Sequence, residues 1–271
     1  MLFINVVLPV FIIVFSGFVL GRKLALDSTT LTNLSLYLLT PALVFSALLK
    51  NPISIDVGSR LALYMGFYTT LMLIVGWLAA RMFRIDSDSR RALYLSSAMM
   101  NIGNFGLPLA FFAYGSAGLD TSILIFVLFT IPLGTVGIVL AQGSQASLKR
   151  AIINTTKIPI FHAVILALIV QGIDLQLPGF LLNMLDLVGQ AAIPVMLILL
   201  GMQMSYAKVI PAIRFLTLAT ALRLVIGPVI GWGLTLLLGI TGIERNVVIL
   251  QTSTPAAVLP LLYALRFNAR P

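Results

Sequence analysis

The chain of 271 residues is 60% hydrophobic and only 9% charged, with a mean hydropathy of +1.10, whereas a soluble domain carries about 25% charged residues. No soluble core absorbs that much apolar surface, so the composition points to an all-α polytopic membrane protein surrounded by lipid. A net charge of +9 and a pI near 10.3 would suggest nucleic acid in a soluble chain; here the basic residues sit in short connections between apolar stretches, report topology, and imply no nucleic-acid partner. With no cysteine and one histidine, disulfides, thiolate metal sites and histidine-rich metal sites are excluded, and neither a cofactor nor an enzymatic activity is expected.

In chain order, nine apolar segments stand at 2–20, 31–49, 61–80, 92–114, 119–141, 158–173, 178–203, 213–239 and 246–265. Most have the roughly 17–25 residues a helix needs to cross the bilayer. The first has no basic residue before it and no convincing small-residue cleavage site, so it reads as a retained span rather than a signal peptide. Pro41, Pro108, Pro194, Gly227 and Pro228 fall inside spans, where they are tolerated if neighbours re-satisfy the freed backbone groups.

Alternate connections differ sharply in charge. One set, with the residues after the last span, holds Arg22, Lys23, Arg81, Arg84, Arg90, Arg91, Lys149, Arg150, Lys157, Lys208, Arg214, Arg266 and Arg270; the other holds only Lys50, Arg60 and Arg245. Lys and Arg concentrate on the cytoplasmic side, which puts the N-terminus outside and the connection 142–157 in the cytoplasm.

The halves also echo one another. Span 2 around Pro41 and span 7 around Pro194 align at an offset of 153 residues, and Pro108 of span 4 aligns with Pro260 of span 9 at 152. Five spans separate each copy from its partner, so the second half enters the membrane the other way up. The expected organisation is a five-helix repeat at 1–141, the cytoplasmic connection at 142–157, and an inverted, incomplete four-helix repeat at 158–271. A counterpart of span 5 would begin near residue 272, so the tenth helix is expected to be absent from this chain.

The stretch Asn101 to Pro108, N-I-G-N-F-G-L-P, places two amides, two glycines and a proline inside an apolar span. Such a break costs helix stability and demands hydrogen-bond partners, and backbone unwound at this depth must be buried in protein or line a wet cavity. A second half-helix beginning near Phe105 would aim free N–H groups at that cavity, a place for a carboxylate; the competing reading is a structural kink. Gln251, Thr252, Ser253, Thr254 and Pro255 form a second polar break in span 9, and paired discontinuous helices mark transporter sites. The substrate set expected from the two breaks is Asn101, Gly103, Asn104, Pro108, Gln251, Thr252, Ser253, Thr254 and Pro255, holding a small organic anion, a carboxylate.

At these residues the sequence resembles the auxin efflux carrier family, which includes plant PIN-type carriers and many bacterial permeases. N-I-G-N-F-G-L-P keeps the family's Asn, second Gly and Pro, and Q-T-S-T-P-A-A-V-L-P keeps its Gln-x-x-x-Pro-x-x-x-x-Pro spacing. The resemblance implies two inverted five-helix repeats, discontinuous spans 4 and 9 crossing as an X, the crossover asparagine at Asn101 and the paired prolines at Pro108 and Pro255. It also suggests a bacterial inner (plasma) membrane. Asn104 and Thr254 make this crossover more polar than in many members, favouring a smaller, more hydrophilic anion, and the short cytoplasmic connection implies no phosphorylation control there.

Three ionisable residues lie in or near apolar segments. His162 stands near the cytoplasmic entry of span 6 and reads as interfacial. Asp186 is either a proton-coupling carboxylate or the partner of Arg223, and Arg223, ten residues into span 8, must face protein or water, attracting the anion or neutralising Asp186. No acidic residue falls in either break and no phosphate-binding Gly-Lys-Ser or Gly-Lys-Thr loop occurs, so a dedicated cation site and ATP-driven transport by this chain are not expected. The reading is a secondary transporter working by alternating access, with a possible homodimer through a scaffold of spans 1, 2, 6 and 7. The competitors are a sodium-coupled symporter of the bile-acid type and a membrane receptor that does not translocate its ligand.

Overall fold

A computed structural model describes residues 3–24, 26–52, 54–142, 147–206 and 213–257. Along them run α1 (Leu8–Leu24), α2 (Ser28–Leu34), α3 (Thr40–Lys50), α4 (Ile55–Met82), α5 (Ser87–Ala98), α6 (Leu107–Pro132), α7 (Ile138–Gln142), α8 (Leu148–Thr156), α9 (Pro159–Gly172), α10 (Gly179–Gln190), α11 (Ala192–Tyr206), α12 (Ile213–Ala221), α13 (Gly227–Leu237) and α14 (Gly242–Thr252). Among the described residues, six helical segments are long and apolar enough to cross a membrane: Ile4–Leu24, Ser28–Lys50, Ile55–Met82, Ile102–Leu140, Gly179–Tyr206 and Ile213–Leu237. α9 is a shorter apolar helix. Outward positions are as apolar as inward ones: on α1, Phe11 and Phe15 are exposed beside buried Val10 and Val14, the all-round apolarity of a helix that faces lipid.

The expected spans 4 and 5 are joined. Ile102–Leu140 runs for 39 residues, about 58 Å of helix and far longer than one hydrocarbon layer, and Gly115 breaks it with φ 66 and ψ −151. That backbone is open to glycine and strained for other residues. The break falls in the gap between the two expected spans. Span 9 is seen as α14 and the segment to Ala257; the rest of 246–265 lies outside the described residues, with Pro260, Arg266 and Arg270, as does Lys208.

Four prolines share one local solution. Wide π turns at Phe3–Val7, Ser35–Leu39, Ile102–Gly106 and Leu222–Ile226 each precede a helix whose second residue is proline: Pro9, Pro41, Pro108 and Pro228. Proline offers no N–H to the carbonyl four residues back, and a locally wider turn lets that carbonyl reach the next donor instead. Asp27 caps α2; the Thr30 hydroxyl, then the Thr29 N–H, hold its carboxyl at about 2, below the usual 3.8.

The chain forms two compact units that interleave in sequence: residues 1–54, 103–123 and 156–209, and residues 55–102, 124–155 and 210–271. Each draws on both the 1–141 and the 158–271 halves, and spans 1, 2, 6 and 7 share the first unit. There α1 packs along α11, with Gly17 and Gly21 of α1 facing Ile198 and Ser205, and Gly201 of α11 facing the Val14 carbonyl. Small residues at this spacing let two backbones meet in a membrane. α3 packs on α9 and α10, where Gly189 meets the Leu43 backbone and Gln171 Nε2 donates to the Leu48 carbonyl. In the second unit α4 packs on α5 and α13 on α4 and α14, around a core that includes Ala80, Leu93 and Leu222.

Candidate functional site

The site is built where α5 and α14 end. α5 stops at Ala98, residues Met99 to Asn101 are extended, and helix resumes at Ile102. α14 stops at Thr252, and the chain turns through Ser253 and Thr254 into an extended Pro255 to Ala257. The two extended pieces pair: Asn101 N–H donates to the Pro255 carbonyl at 2.9 Å, Ala257 N–H donates to the Met99 carbonyl at 2.9 Å, and Met100 faces Ala256 in an antiparallel bridge. Each break thus supplies the hydrogen-bond partners the other lost by leaving the helix, the condition for unwound backbone at membrane depth.

This places the first break at 99–101, upstream of the expected Gly103–Pro108 stretch, and the following helix begins at Ile102 rather than near Phe105. The glycines do not unwind the chain because Pro108 is accommodated by the wide turn Ile102–Gly106, while residues 99–101 gain cross-pairing by being extended. Gly103, Asn104 and Pro108 belong to the first unit; Asn101 and the whole 251–255 segment belong to the second.

Within the second unit, Arg223 lies between the two helix ends and is 2% exposed. Its Nε donates to the Thr254 carbonyl at 2.8 Å. Nη1 donates to Tyr68 Oη at 2.8 Å and the Ser97 carbonyl at 3.2 Å, and Nη2 to the carbonyls of Thr252 at 3.1 Å and Gln251 at 3.5 Å. A guanidinium has five N–H donors, and all are engaged. Ser97 lies in the last turn of α5 and Gln251 and Thr252 end α14, so two negative helix termini, each equivalent to about half an elementary charge, converge on one positive group. The Tyr68 ring adds its face, 5.8 Å from the guanidinium carbon. Gly227 and Gly231 make room for the crossing: a Cβ on Gly227 would lie 2.8 Å from Tyr68 Oη and 3.2 Å from the Thr252 carbonyl, and one on Gly231 would overlap Thr252 Oγ1.

The expected ligands differ in what they have left to give. Asn101 is 5% exposed, and its side-chain amide is not one of the described polar groups buried without a partner. Thr252 and Ser253 hydroxyls donate to the Ile249 carbonyl at 2.9 and 2.8 Å, and Thr254 to the Gln251 carbonyl at 2.7 Å, so as donors all three are committed to their own helix end. Gln251, Thr252 and Thr254 are fully buried, whereas Ser253 and Pro255 are exposed.

Among the described residues Asp186 and Arg223 each take other partners. Asp186 takes its cation from Lys50, at 2.6 Å, with Ser46 Oγ donating at 3.1 Å and Gln190 Nε2 at 3.0 Å. These residues line a cavity of about 710 Å³ inside the first unit, with Asn51, Asp120, Phe111, Phe112 and Pro194, and Asn51 Nδ2 donates to Asp120 at 2.8 Å. Lys50 and Asp120 were not singled out from the sequence, yet a signal existed: Lys50 belongs to the sparse outer set of basic residues, and Asp186 lies near the outer end of span 7. His162 stands exposed in the first turn of α9, its ring nitrogen 3.3 Å from the Ile158 carbonyl.

Comparison with known proteins agrees with this architecture. The family described as membrane transport protein matches residues 2–271. An uncharacterized transporter of Methanothermobacter thermautotrophicus is 28% identical over 96% of this chain and 87% of its own length, and one of Methanocaldococcus jannaschii is 28% identical over 95% and 87%. The relatives are archaeal. With nearly every residue inside the family match and paired broken helices among apolar spans, the chain belongs to the membrane transport protein family, the auxin efflux carrier-like integral membrane transporters.

Proposed function

We propose that this protein is a secondary carrier that moves a small organic anion, a carboxylate, by alternating access, with its N-terminus outside and the 142–157 connection in the cytoplasm. The observation that carries the reading is the pair of helix breaks at 99–101 and 255–257, hydrogen-bonded to each other, with Asn101, 5% exposed, in the first of them. A carboxylate bound beside Asn101 would accept a hydrogen bond from its side-chain amide. Access is proposed to switch by movement of the crossover helices and their partners against the remaining scaffold.

The test is solute counterflow. Proteoliposomes holding the protein and preloaded with a short mono- or dicarboxylate are expected to accumulate the same labelled carboxylate from outside. A thermal shift on ligand addition without counterflow would make the chain a receptor, and a lack of response to every carboxylate in both assays would remove the anion assignment.

A further inference from the structure

Arg223 occupies a chamber with the chemistry of a cation site. Four of its five acceptors are main-chain carbonyl oxygens, of Ser97, Gln251, Thr252 and Thr254, and the fifth is the hydroxyl of Tyr68. Convergent neutral oxygens at helix C-termini are the ligands that transporters with broken helices offer to a bound monovalent cation. Here they meet a charge carried by the chain itself. A planar fork of donors matches oxygens spread around its rim, where an ammonium or a bare metal ion would reach only some of them. The geometry points to Arg223 as a tethered cation: it fills a monovalent-cation site at the paired helix ends, fixes the two ends together, and leaves the protein no need for a bound cation there. With every N–H engaged, it has none to offer a substrate anion.

The inference deepens the carrier reading by assigning the charge that stands at its crossover, and its test reads stability, so it is decided whether or not anion transport is observed. Arg223→Ala opens a guanidinium-sized hole lined by the same oxygens. The purified variant is expected to be less stable than the wild type and to regain stability, saturably, with low millimolar guanidinium chloride, by about 2–4 °C at tenfold excess over its Kd. Urea, similar in shape but uncharged, should give no such gain at matched concentration, and the wild type should gain nothing from guanidinium and respond equally to sodium, potassium and choline. Should Arg223→Ala not fold, Arg223→Ser likewise removes the charge and empties the chamber, and its melting temperature should rise with guanidinium in the same urea-insensitive way. Equal response to urea and guanidinium in the variants, no response in either folded variant, or sodium-specific stabilisation of the wild type would overturn the proposal.

Discussion

Asp186→Asn removes one partner of an ion pair whose side chains are 34% and 51% exposed, so it should cost at most about 1 kcal/mol, because water already screens the pair. Arg223→Gln withdraws donors from four carbonyls in the protein interior and should cost about 3 kcal/mol or more. Since the two groups have separate partners, the double variant should lose the sum of the single losses within about 0.5 kcal/mol. Chemical denaturation of the purified variants measures this, and a double variant more stable than Arg223→Gln would show a direct pair. The depth of Arg223 in span 8 announced that it faces protein or water, but its acceptors were not legible, because a main-chain carbonyl leaves no mark in the sequence. The partners of the Thr252–Thr254 hydroxyls were not legible for a related reason: hydroxyls at a helix end donate to nearby carbonyls of their own helix, and only a structure shows that they have done so.

At the scale of elements, apolar length was a sound guide. The segments at 2–20, 31–49, 61–80, 178–203 and 213–239 correspond to helices, and Gly115 marks the division between spans 4 and 5. Pro41 and Pro228 are tolerated inside their spans as expected, by wide turns that also absorb Pro108, and the unwound pieces at 99–101 and 255–257 are defined by pairing with each other. The G-F-V-L-G sequence at 17–21 and its contact with α11 also went unread, although small residues four apart are a signature of close helix packing. Gly201→Ala would drive a methyl group into the Val14 carbonyl, which is backbone and cannot rotate aside, so α1 and α11 must separate. The expected loss is about 1–3 kcal/mol, read as a lower melting temperature; Gly66→Ala, where a Cβ meets nothing within 4 Å, is the control. Equal melting temperatures for the two variants would contradict the packing.

For the whole molecule, the charge asymmetry of the connections predicts a topology that a cysteine-free chain makes easy to test. Lys149→Cys places a single thiol at an exposed position of α8, in the connection assigned to the cytoplasm. It should resist an impermeant thiol reagent in intact cells and react after permeabilisation; labelling in intact cells would reverse the orientation. The interleaving of the two compact units was beyond the repeat pattern, because an offset of 153 residues relates stretches of sequence and says nothing of which helices pack together. The central claim, that the crossover binds the substrate anion through Asn101, is tested most directly by equilibrium binding of a counterflow-positive carboxylate to Asn101→Ala. Loss of one hydrogen bond to a charged ligand removes about 1.5–3 kcal/mol, so the account predicts a roughly tenfold to hundredfold weaker Kd with the melting temperature of the unliganded protein unchanged or raised. An unchanged Kd in the folded variant would contradict it and return Asn101 to a structural role.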